Sequence, residues 1–317
     1  MEIIHDMGFQ GDYYVSHYWS SSNTFAWNSE LALRFSLMLD RLQPHAVVFD
    51  GTWPFQGLLH ACRQVARHPA LVWSSRGLIK PGTKATAVDS AVFDLIIRPG
   101  ELGATRQLED LPAGGRHLTV PPVCLLTPDE PLPRAAARAA LGLPLQGRLA
   151  LFSLGPGNLK DVSGIGHGLL RHFQAAGFQV AWTRAPISVR DIPLPDSVLP
   201  ISVYPLARYL RAFDCLVAAA GYNTCCEVVQ SGIPTLFVPN TQLVDDQQQR
   251  ALQVAEMACA LVSPCETDHQ RQAAVQALLK RMGQATAWQP PAVPMDGADL
   301  AADAILAVAQ SQEISHG

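Results

Sequence analysis

Two patterns of apolar and polar positions alternate along the chain. Short runs rich in Val, Ile, Leu and Phe predict buried strands, and segments with apolar residues three or four positions apart predict helices. The predicted strands are 45–50, 70–74, 93–97, 148–154, 178–182, 198–201, 215–219, 234–238 and 260–262. The first clear helix, over 30–42, has Ser29 as its expected N-cap and ends before Pro44. Strands that alternate with helices are typical of a parallel α/β fold.

The stretch 100–145 interrupts this alternation. It is rich in proline and predicts an irregular connector with one short helix over 134–141. We therefore predict two Rossmann-like domains, at 1–143 and 144–317, and the last helix could pack back on the first domain. Such domains bring the carboxyl ends of their strands to a shared cleft, where open α/β sheets bind ligands.

Composition narrows the class of partner and the compartment. The net charge of −4 and the 16% of charged residues disfavour nucleic acid as a partner. No apolar run reaches the roughly 18 residues that a membrane-spanning helix needs, and the start lacks the features of a signal peptide. The seven cysteines are odd in number and lack C-x-x-C spacing, which favours reduced, buried thiols and no metal site. We expect a cytoplasmic protein.

The segment 214–240 carries the most specific signal. An apolar run ends at Ala220, Gly221 makes a turn, and a helix is predicted from Tyr222. Backbone N–H groups at such a helix start form an anion site suited to a pyrophosphate. Glu227 could accept hydrogen bonds from ribose hydroxyls, and the polar segment 245–249 could reach sugar hydroxyls from the opposite lip.

The order of residues here is distinctive. It reads G-x-x-T-x-x-E from Gly221 through Thr224 to Glu227, and G-x-P-x-L-x-V-P from Gly232 through Pro234, Leu236, Val238 and Pro239, followed by D-Q at Asp246–Gln247. This order and spacing resemble the donor half of GT-B glycosyltransferases, most of all the family 28, or MurG-like, branch. The resemblance extends over 148–309 and more weakly over 45–100.

The resemblance implies a GT-B architecture and a nucleotide-sugar donor, with no cofactor besides that substrate and no metal. It implies that Glu227 binds the ribose. The other implied donor-binding residues are Gly221, Tyr222, Asn223 and Thr224 beside the phosphates, Asp246 and Gln247 on the sugar, Val203 and Tyr204 at the uracil, and Gly155 and Asn158 in a Gly-rich loop that faces the phosphates.

These positions also have plain structural interpretations. Gly221 and Gly232 could be turn or helix-cap glycines. Glu227 could simply favour the N-terminus of a helix. Asp245 and Asp246 could form a solvated helix start.

The first half departs from the family pattern. The family opens with a strand and a Gly-rich loop, often with a His, whereas this chain begins M-E-I-I-H-D-M-G, so we expect an incomplete N-terminal domain. The candidates for the catalytic base are then Asp50, at the end of a predicted strand, and His17. Asp50 could instead form an Asp-Gly turn. Ser75 and Arg76, after the next strand, are candidates for the acceptor side, and Arg76 could equally be a surface charge.

The predicted function is an inverting, metal-independent transfer of a hexosyl or N-acetylhexosaminyl group. The donor would be a UDP-sugar such as UDP-GlcNAc, and the acceptor a hydroxyl group in polysaccharide or glycolipid synthesis. Two alternatives stay open: a donor-binding subunit or pseudoenzyme that needs a partner lobe, and an enzyme similar to UDP-GlcNAc 2-epimerases.

A polyprenyl- or lipid-linked acceptor would place the protein at the inner face of the membrane. The aromatic residues between Tyr13 and Trp27 could contact lipid there. They could equally cover the core or pair with another subunit in a homo-oligomer.

Overall fold

The first half of the chain builds a four-stranded parallel sheet with the order β1-β2-β3-β4. Its strands are β1 (Ala46–Asp50), β2 (Ala70–Ser74), β3 (Leu95–Pro99) and β4 (His117–Val120). The computed structural model describes residues 2–16, 23–81, 83, 89–103, 116–155, 163–184, 193–242, 244–284 and 296–316. Strands β2 and β3 lie inside the sheet and are buried along almost their whole length, as expected of strands that are covered on both faces.

Three helices accompany this sheet: α1 (Glu2–Asp6), α2 (Thr24–Leu42) and α3 (Gln56–Gln64). The predicted start of α2 at Glu30 with a Ser29 cap is wrong. Asn23 caps the helix, its Oδ1 accepting from the Ala26 N–H at 2.8 Å, while the Ser29 hydroxyl bonds back to the Phe25 carbonyl at 3.0 Å within the helix. Asn is a strong N-cap, and the helix therefore begins six residues earlier.

The second half builds a six-stranded parallel sheet with the order β10-β9-β8-β5-β6-β7. Its strands are β5 (Arg148–Ser153), β6 (Phe178–Thr183), β7 (Val198–Ile201), β8 (Cys215–Ala218), β9 (Thr235–Phe237) and β10 (Ala260–Val262). The chain runs outward from β5 to β7 and then returns to pair β8 on the other side of β5. This reversal makes a topological switch point between β5 and β8, where ligands of open α/β sheets bind.

Helices cover both faces of the second sheet. They are α4 (Arg134–Ala140), α5 (Ser163–Ala175), α6 (Tyr222–Ser231), α7 (Gln247–Met257) and α8 (Asp268–Gln284), together with a 3₁₀ segment at Leu206–Ala212. One core lies under α6 and α7, and the other lies under α5 and α8. The parallel α/β class and the two Rossmann-like sheets predicted from the sequence are confirmed.

The last helix, α9 (Gly297–His316), returns to the first sheet. Its apolar side chains pack on the face formed by β2 and β3, where Val308 joins a cluster that includes Val72 and Ile97. The chain therefore crosses between the two halves twice, once in the connector and once before α9.

The described part of the connector, 100–103 and 116–145, contains a strand that was not predicted. Strand β4 pairs with β3 there, with Ile96 opposite His117. The strand reads H-L-T-V and is followed by two prolines, so no continuous apolar run marks it, which is why β4 was not predicted. The predicted boundary after residue 143 lies between α4 and β5. No helix among the described residues is long and apolar enough to cross a membrane.

Candidate functional site

A cavity of about 360 Å³ opens at the switch point of the second sheet. The cavity is lined by Ser153 and Thr183, at the carboxyl ends of β5 and β6, and by Asn223 and Glu227 of α6. The other lining residues are Val123, Leu125, Arg184, Ile201, Val203, Tyr204, Pro205 and Leu206. Its volume is within the range of small-ligand sites, and its mixed lining suits a ligand with both an apolar ring and hydroxyl groups.

Glu227 is the acidic residue of this lining. Burial raises the pKa of its carboxyl group from 4.5 to about 7. A carboxylate that has lost much of its water gains from hydroxyl groups that donate to it, because they replace the lost hydration. Glu227 is therefore suited to hold a pair of neighbouring hydroxyls, such as those of a ribose.

The start of α6 faces the same region. Gly221 is the N-cap, with φ −66° and ψ 154°, and no side chain caps the helix there. The positive end of the helix dipole therefore lies beside the cavity, next to the exposed side chain of Asn223. At the other end of α6, Gly232 is the C-cap and has the left-handed conformation, with φ 66°. This is the helix-cap alternative that the sequence left open for Gly232.

Tyr222, expected beside the phosphates, uses its hydroxyl group for contacts within the protein. Its hydroxyl donates to the Gly100 carbonyl at 3.0 Å and accepts from the Val123 N–H at 3.0 Å. Both partners belong to the first half of the chain and the connector. The Tyr222 side chain thus ties α6 to the connector.

Gln247 and Asp246, both expected on the donor sugar, make contacts within the protein. The buried Gln247 side chain accepts from the Asn240 N–H at 3.0 Å. The side-chain amide of Asn240 in turn donates to the Leu154 carbonyl at 3.3 Å. Asp246 Oδ1 accepts from the Gln249 N–H at 3.1 Å, so this residue caps α7.

Gly155 needs the conformational freedom of glycine. Its φ is +85°, and a Cβ atom there would lie 3.3 Å from the Asn240 side-chain nitrogen. The contacts from Gln247 through Asn240 therefore hold Leu154 and Gly155, directly after β5. Asn158, the other residue predicted in this loop, lies outside the described residues.

Arg250 joins three parts of the structure behind the cavity. Its guanidinium contacts Glu101 through two bonds of 2.8 Å and Asp245 through bonds of 2.6 and 2.9 Å. A further bond of 3.1 Å reaches the Ala220 carbonyl, directly before Gly221. All five N–H donors of the side chain are satisfied. The start of α6 is thereby fixed to the first half of the chain.

The loop after β2 forms a second contact between the halves. Lys80 Nζ donates to the Gln242 carbonyl at 2.7 Å, and the Lys80 N–H donates to the Val244 carbonyl at 2.9 Å. Ile79 and Asp245 form an antiparallel bridge. The loop that carries Asp245 is therefore paired with backbone of the first domain.

The first-domain candidates lie together at the carboxyl ends of β1 and β2. Asp50 Oδ1 accepts from the Ser74 hydroxyl at 3.0 Å and lies 3.0 Å from Arg76 Nε. The Asp50 side chain is 53% exposed, and Ser75 follows Ser74 on the same edge. None of Asp50, Ser75 and Arg76 lines the cavity. His17 lies outside the described residues.

Several residues of the site were not predicted from the sequence. Ser153, Thr183 and Arg184 follow apolar strands, and polar residues at strand ends are a signal that could have found them. Val123 and Leu125 come from the proline-rich connector, where no periodicity marks them. Within the described part of the chain, no group of three His, Cys, Asp or Glu side chains could hold a metal ion.

Part of the C-terminal region is similar to a known protein family. Residues 198–287 match the family model described as the glycosyltransferase family 28 C-terminal domain, a span that holds α6, Glu227 and Arg250. The match covers less than half of the chain, and the chain as a whole has the GT-B fold. A search of curated proteins gives no match.

Solved structures share the fold over nearly the whole chain. MurG of Acinetobacter baumannii is 15% identical with a TM-score of 0.55, and the match covers 96% of this chain and 87% of that one. The spinosyn rhamnosyltransferase SpnG, complexed with thymidine diphosphate, is 16% identical with a TM-score of 0.52, covering 94% and 82%. A putative UDP-N-acetylglucosamine 2-epimerase from Listeria monocytogenes is 12% identical with a TM-score of 0.57, covering 96% and 85%. At these identities the likeness concerns the fold.

Proposed function

We propose that this protein transfers a sugar from a nucleotide diphosphate donor, of which UDP-sugars are the first candidates, to a hydroxyl acceptor. The observation that carries the proposal is the mostly buried carboxyl group of Glu227 in a cavity of about 360 Å³ beside the uncapped start of α6. The family 28 match covers this helix, and SpnG, which shares the fold, is complexed with a nucleoside diphosphate.

The donor would use three parts of the site. Its ribose hydroxyls donate to Glu227, and its base lies against the cavity wall of Val203 and Tyr204. Its diphosphate faces the N–H groups at the start of α6, whose dipole stabilises the charge that develops on the leaving group. We propose, as the family resemblance implies, a transfer that needs no metal, with direct displacement and inversion at the anomeric carbon.

Asp50 is our proposed catalytic base on the acceptor side. Its carboxylate lies at the carboxyl edge of the first sheet, oriented by Ser74 and Arg76. There it could take the proton of the acceptor hydroxyl as that oxygen attacks. Arg76 and Ser75 would contact the acceptor from the same edge.

Calorimetric titration with UDP tests the donor site. Replacement of Glu227 by Gln keeps the size of the side chain and removes the charge, so we expect UDP affinity to fall by roughly 10- to 100-fold, as for loss of hydrogen bonds to a charged group. The matched control is Glu256→Gln, on the exposed face of α7, which should bind UDP like the wild type. Equal affinities for wild type and Glu227→Gln would contradict the assignment of the site.

The identity of the donor can be read from a thermal-shift panel of nucleoside diphosphates and nucleotide sugars. A ligand at 100 times its Kd adds about 2.7 kcal/mol of stability, so a true donor separates clearly from the others. If a guanosine or thymidine compound gives the largest shift, the donor is not a UDP-sugar, but the assignment of the site still holds.

Epimerisation is the competing chemistry on this fold. Incubation with UDP-GlcNAc in deuterated water distinguishes the two, because epimerisation at C2 exchanges that carbon-bound hydrogen and glycosyl transfer does not. We expect no deuterium in the recovered UDP-GlcNAc. Hydrolysis of a UDP-sugar by the purified chain would also argue against a donor-binding subunit that needs a partner lobe.

A lipid-linked acceptor is supported by apolar side chains on the surface of the first domain. Phe9, Tyr13 and Phe25 are 61%, 67% and 82% exposed. Trp27, by contrast, is buried, and its indole donates to the Val15 carbonyl at 2.7 Å, so part of the aromatic segment serves the core. We propose that the exposed part contacts anionic membrane. Co-sedimentation with anionic liposomes at low salt tests this, and a Phe25→Ser variant should sediment less.

A further inference from the structure

One face of α6 lies along the connector. Tyr222, Cys226 and Gln230 are four residues apart and therefore stack on the same side of the helix. The Tyr222 hydroxyl accepts from the Val123 N–H at 3.0 Å, and the Gln230 amide donates to the Leu126 carbonyl at 2.7 Å. These two bonds fix how the connector lies on the helix.

Between those two bonds the thiols of Cys226 and Cys124 meet. A hydrogen bond joins their side chains, and Cys124 packs against the core cluster that contains Cys226. The contact joins two segments 102 positions apart in sequence, and it is held from both sides by the Tyr222 and Gln230 bonds. The pair is thus placed by the fold rather than by chance proximity of flexible side chains.

Cys124 differs from the other cysteines, all seven of which lie in the described part of the chain. Six are buried, and Cys124 is partly exposed. The hydrogen bond from Cys226 lowers the pKa of Cys124, whereas burial raises the pKa of Cys62 to about 11 and of Cys225 to about 12. The thiolate is the reactive form of cysteine, so Cys124 is the thiol best suited to react first.

The pair adjoins the nucleotide cavity on both sides. Val123 and Leu125, the sequence neighbours of Cys124, line the cavity, and so does Glu227, the neighbour of Cys226. Cys124 thus packs against the core cluster under α6, while its two sequence neighbours line the cavity.

We propose that Cys124 and Cys226 are an oxidation-sensitive pair, which a peroxide converts to a disulfide that ties the connector to α6. In the first step the Cys124 thiolate attacks one peroxide oxygen. An S–O bond forms, the O–O bond breaks, and the departing hydroxide takes up a proton to give water. In the second step the Cys226 sulfur attacks the sulfenic sulfur of Cys124. The S–S bond forms, and the S–O oxygen leaves as water with the Cys226 proton. Each sulfur has then lost one electron, and the peroxide is reduced to two waters.

The disulfide should change nucleotide binding, a consequence that rests on the proposed function. Its sulfurs lie about 2.05 Å apart, closer than two hydrogen-bonded thiols. The connector must therefore shift towards α6, and Val123 and Leu125 shift with it at the cavity wall. We expect UDP affinity to fall by roughly fivefold or more, the lower end of typical couplings between two sites.

Peptide mapping of the full chain tests the disulfide directly. The reduced protein is treated with hydrogen peroxide, remaining thiols are blocked, and the protein is digested with trypsin. Cys124 lies in the tryptic peptide 117–134, and Cys226 lies in 212–250 together with Cys215 and Cys225. We expect these two peptides to be joined, with the loss of two hydrogens, and separated again by dithiothreitol.

Three variants identify the partners. Cys124→Ser, at the partly exposed position, should abolish the link without disturbing a buried site, and Cys226→Ser should abolish it as well. Cys225→Ser, which removes the neighbouring buried thiol, should leave it intact. A link that survives in Cys124→Ser, or Cys124 recovered as sulfenic or sulfinic acid without a link, would overturn the proposal.

UDP titration of the reduced and oxidised protein then tests the coupling. Oxidation should weaken binding in the wild type and in Cys225→Ser, and it should have no effect in Cys124→Ser. If the reduced protein binds no UDP, the proposed function fails while a mapped disulfide stands. If both forms bind UDP equally, the disulfide is not coupled to the cavity.

Discussion

Arg250 of α7 and Glu101 of the first half form a two-point salt bridge, with both N–O distances at 2.8 Å. Their side chains are 1% and 5% exposed. The same guanidinium holds Asp245 and the Ala220 carbonyl. The orientation of α6 relative to the first sheet therefore depends on one buried cation with two carboxylates.

Removal of that cation should destabilise the fold. In Arg250→Met the buried carboxylate of Glu101 and the partly buried carboxylate of Asp245 lose their partner, so we expect the free energy of unfolding to fall by about 3–5 kcal/mol in urea titration. The matched control is Arg171→Met, where an exposed arginine pairs with Asp268 at the surface. That change should cost less than about 1 kcal/mol. Similar losses in the two variants would show that the Arg250 salt bridge contributes no more to the free energy of unfolding than a surface pair.

The buried carboxyl of Glu227 should make stability depend on pH. Its pKa is about 7 in the folded chain and 4.5 without burial, so between these values the unfolded chain ionises while the folded chain keeps its proton. The free energy of unfolding should therefore fall as pH rises through this window. Glu227→Gln removes the effect and should be more stable than wild type by about 2–4 kcal/mol at about pH 8, and equal to it at about pH 4. A pH-independent difference between the two proteins would refute this explanation.

Asp50→Asn should separate chemistry from donor binding. The amide cannot take a proton from the acceptor, so we expect the transfer rate to fall by roughly 10²- to 10⁴-fold. UDP affinity should stay unchanged, because Asp50 does not line the cavity. Ser74→Ala, which removes the hydroxyl on Asp50 Oδ1, should reduce the rate much less. A rate for Asp50→Asn within threefold of wild type would leave the base to another residue.

Tyr222→Phe should act on stability rather than on phosphate binding. The change removes the hydroxyl that joins Gly100 and Val123 and leaves their partly buried backbone groups without that partner. We expect a loss of about 1–3 kcal/mol in the free energy of unfolding. Below the unfolding transition, UDP titration should give the wild-type affinity. A large loss of affinity in the folded variant would instead favour the phosphate contact implied by the sequence resemblance.

The sequence predicts those parts of the site whose structure depends on residues close together in the chain. The strand that ends before Gly221, the helix from Tyr222 and the position of Glu227 all depend on residues close together in the chain. Glu227, Asn223, Val203 and Tyr204 do lie together at one cavity. The cap by Asp246 is likewise local, and it was one of the interpretations that the sequence left open.

What the sequence could not predict depends on contacts between distant segments. Gln247 matches a motif position, yet its side-chain oxygen accepts a hydrogen bond from the Asn240 N–H. This contact depends on how the loop after β9 folds, which the sequence does not show. The Glu101–Arg250 bridge joins residues 149 positions apart. Neither residue carries a local signal, because a charged residue has the same appearance in sequence whether it is solvated or paired.

The two crossings between the halves of the chain meet at one point. Val123 of the connector forms an antiparallel bridge with Asp296, and a Cβ at Gly297 would overlap the Pro121 carbonyl, directly before α9. Together with the Glu101–Arg250 and Ile79–Asp245 contacts, this junction restricts relative motion of the two domains. Because Val123 also lines the cavity, any displacement of the first domain would move part of the cavity wall with it. The shape of the cavity is therefore tied to the position of the first domain.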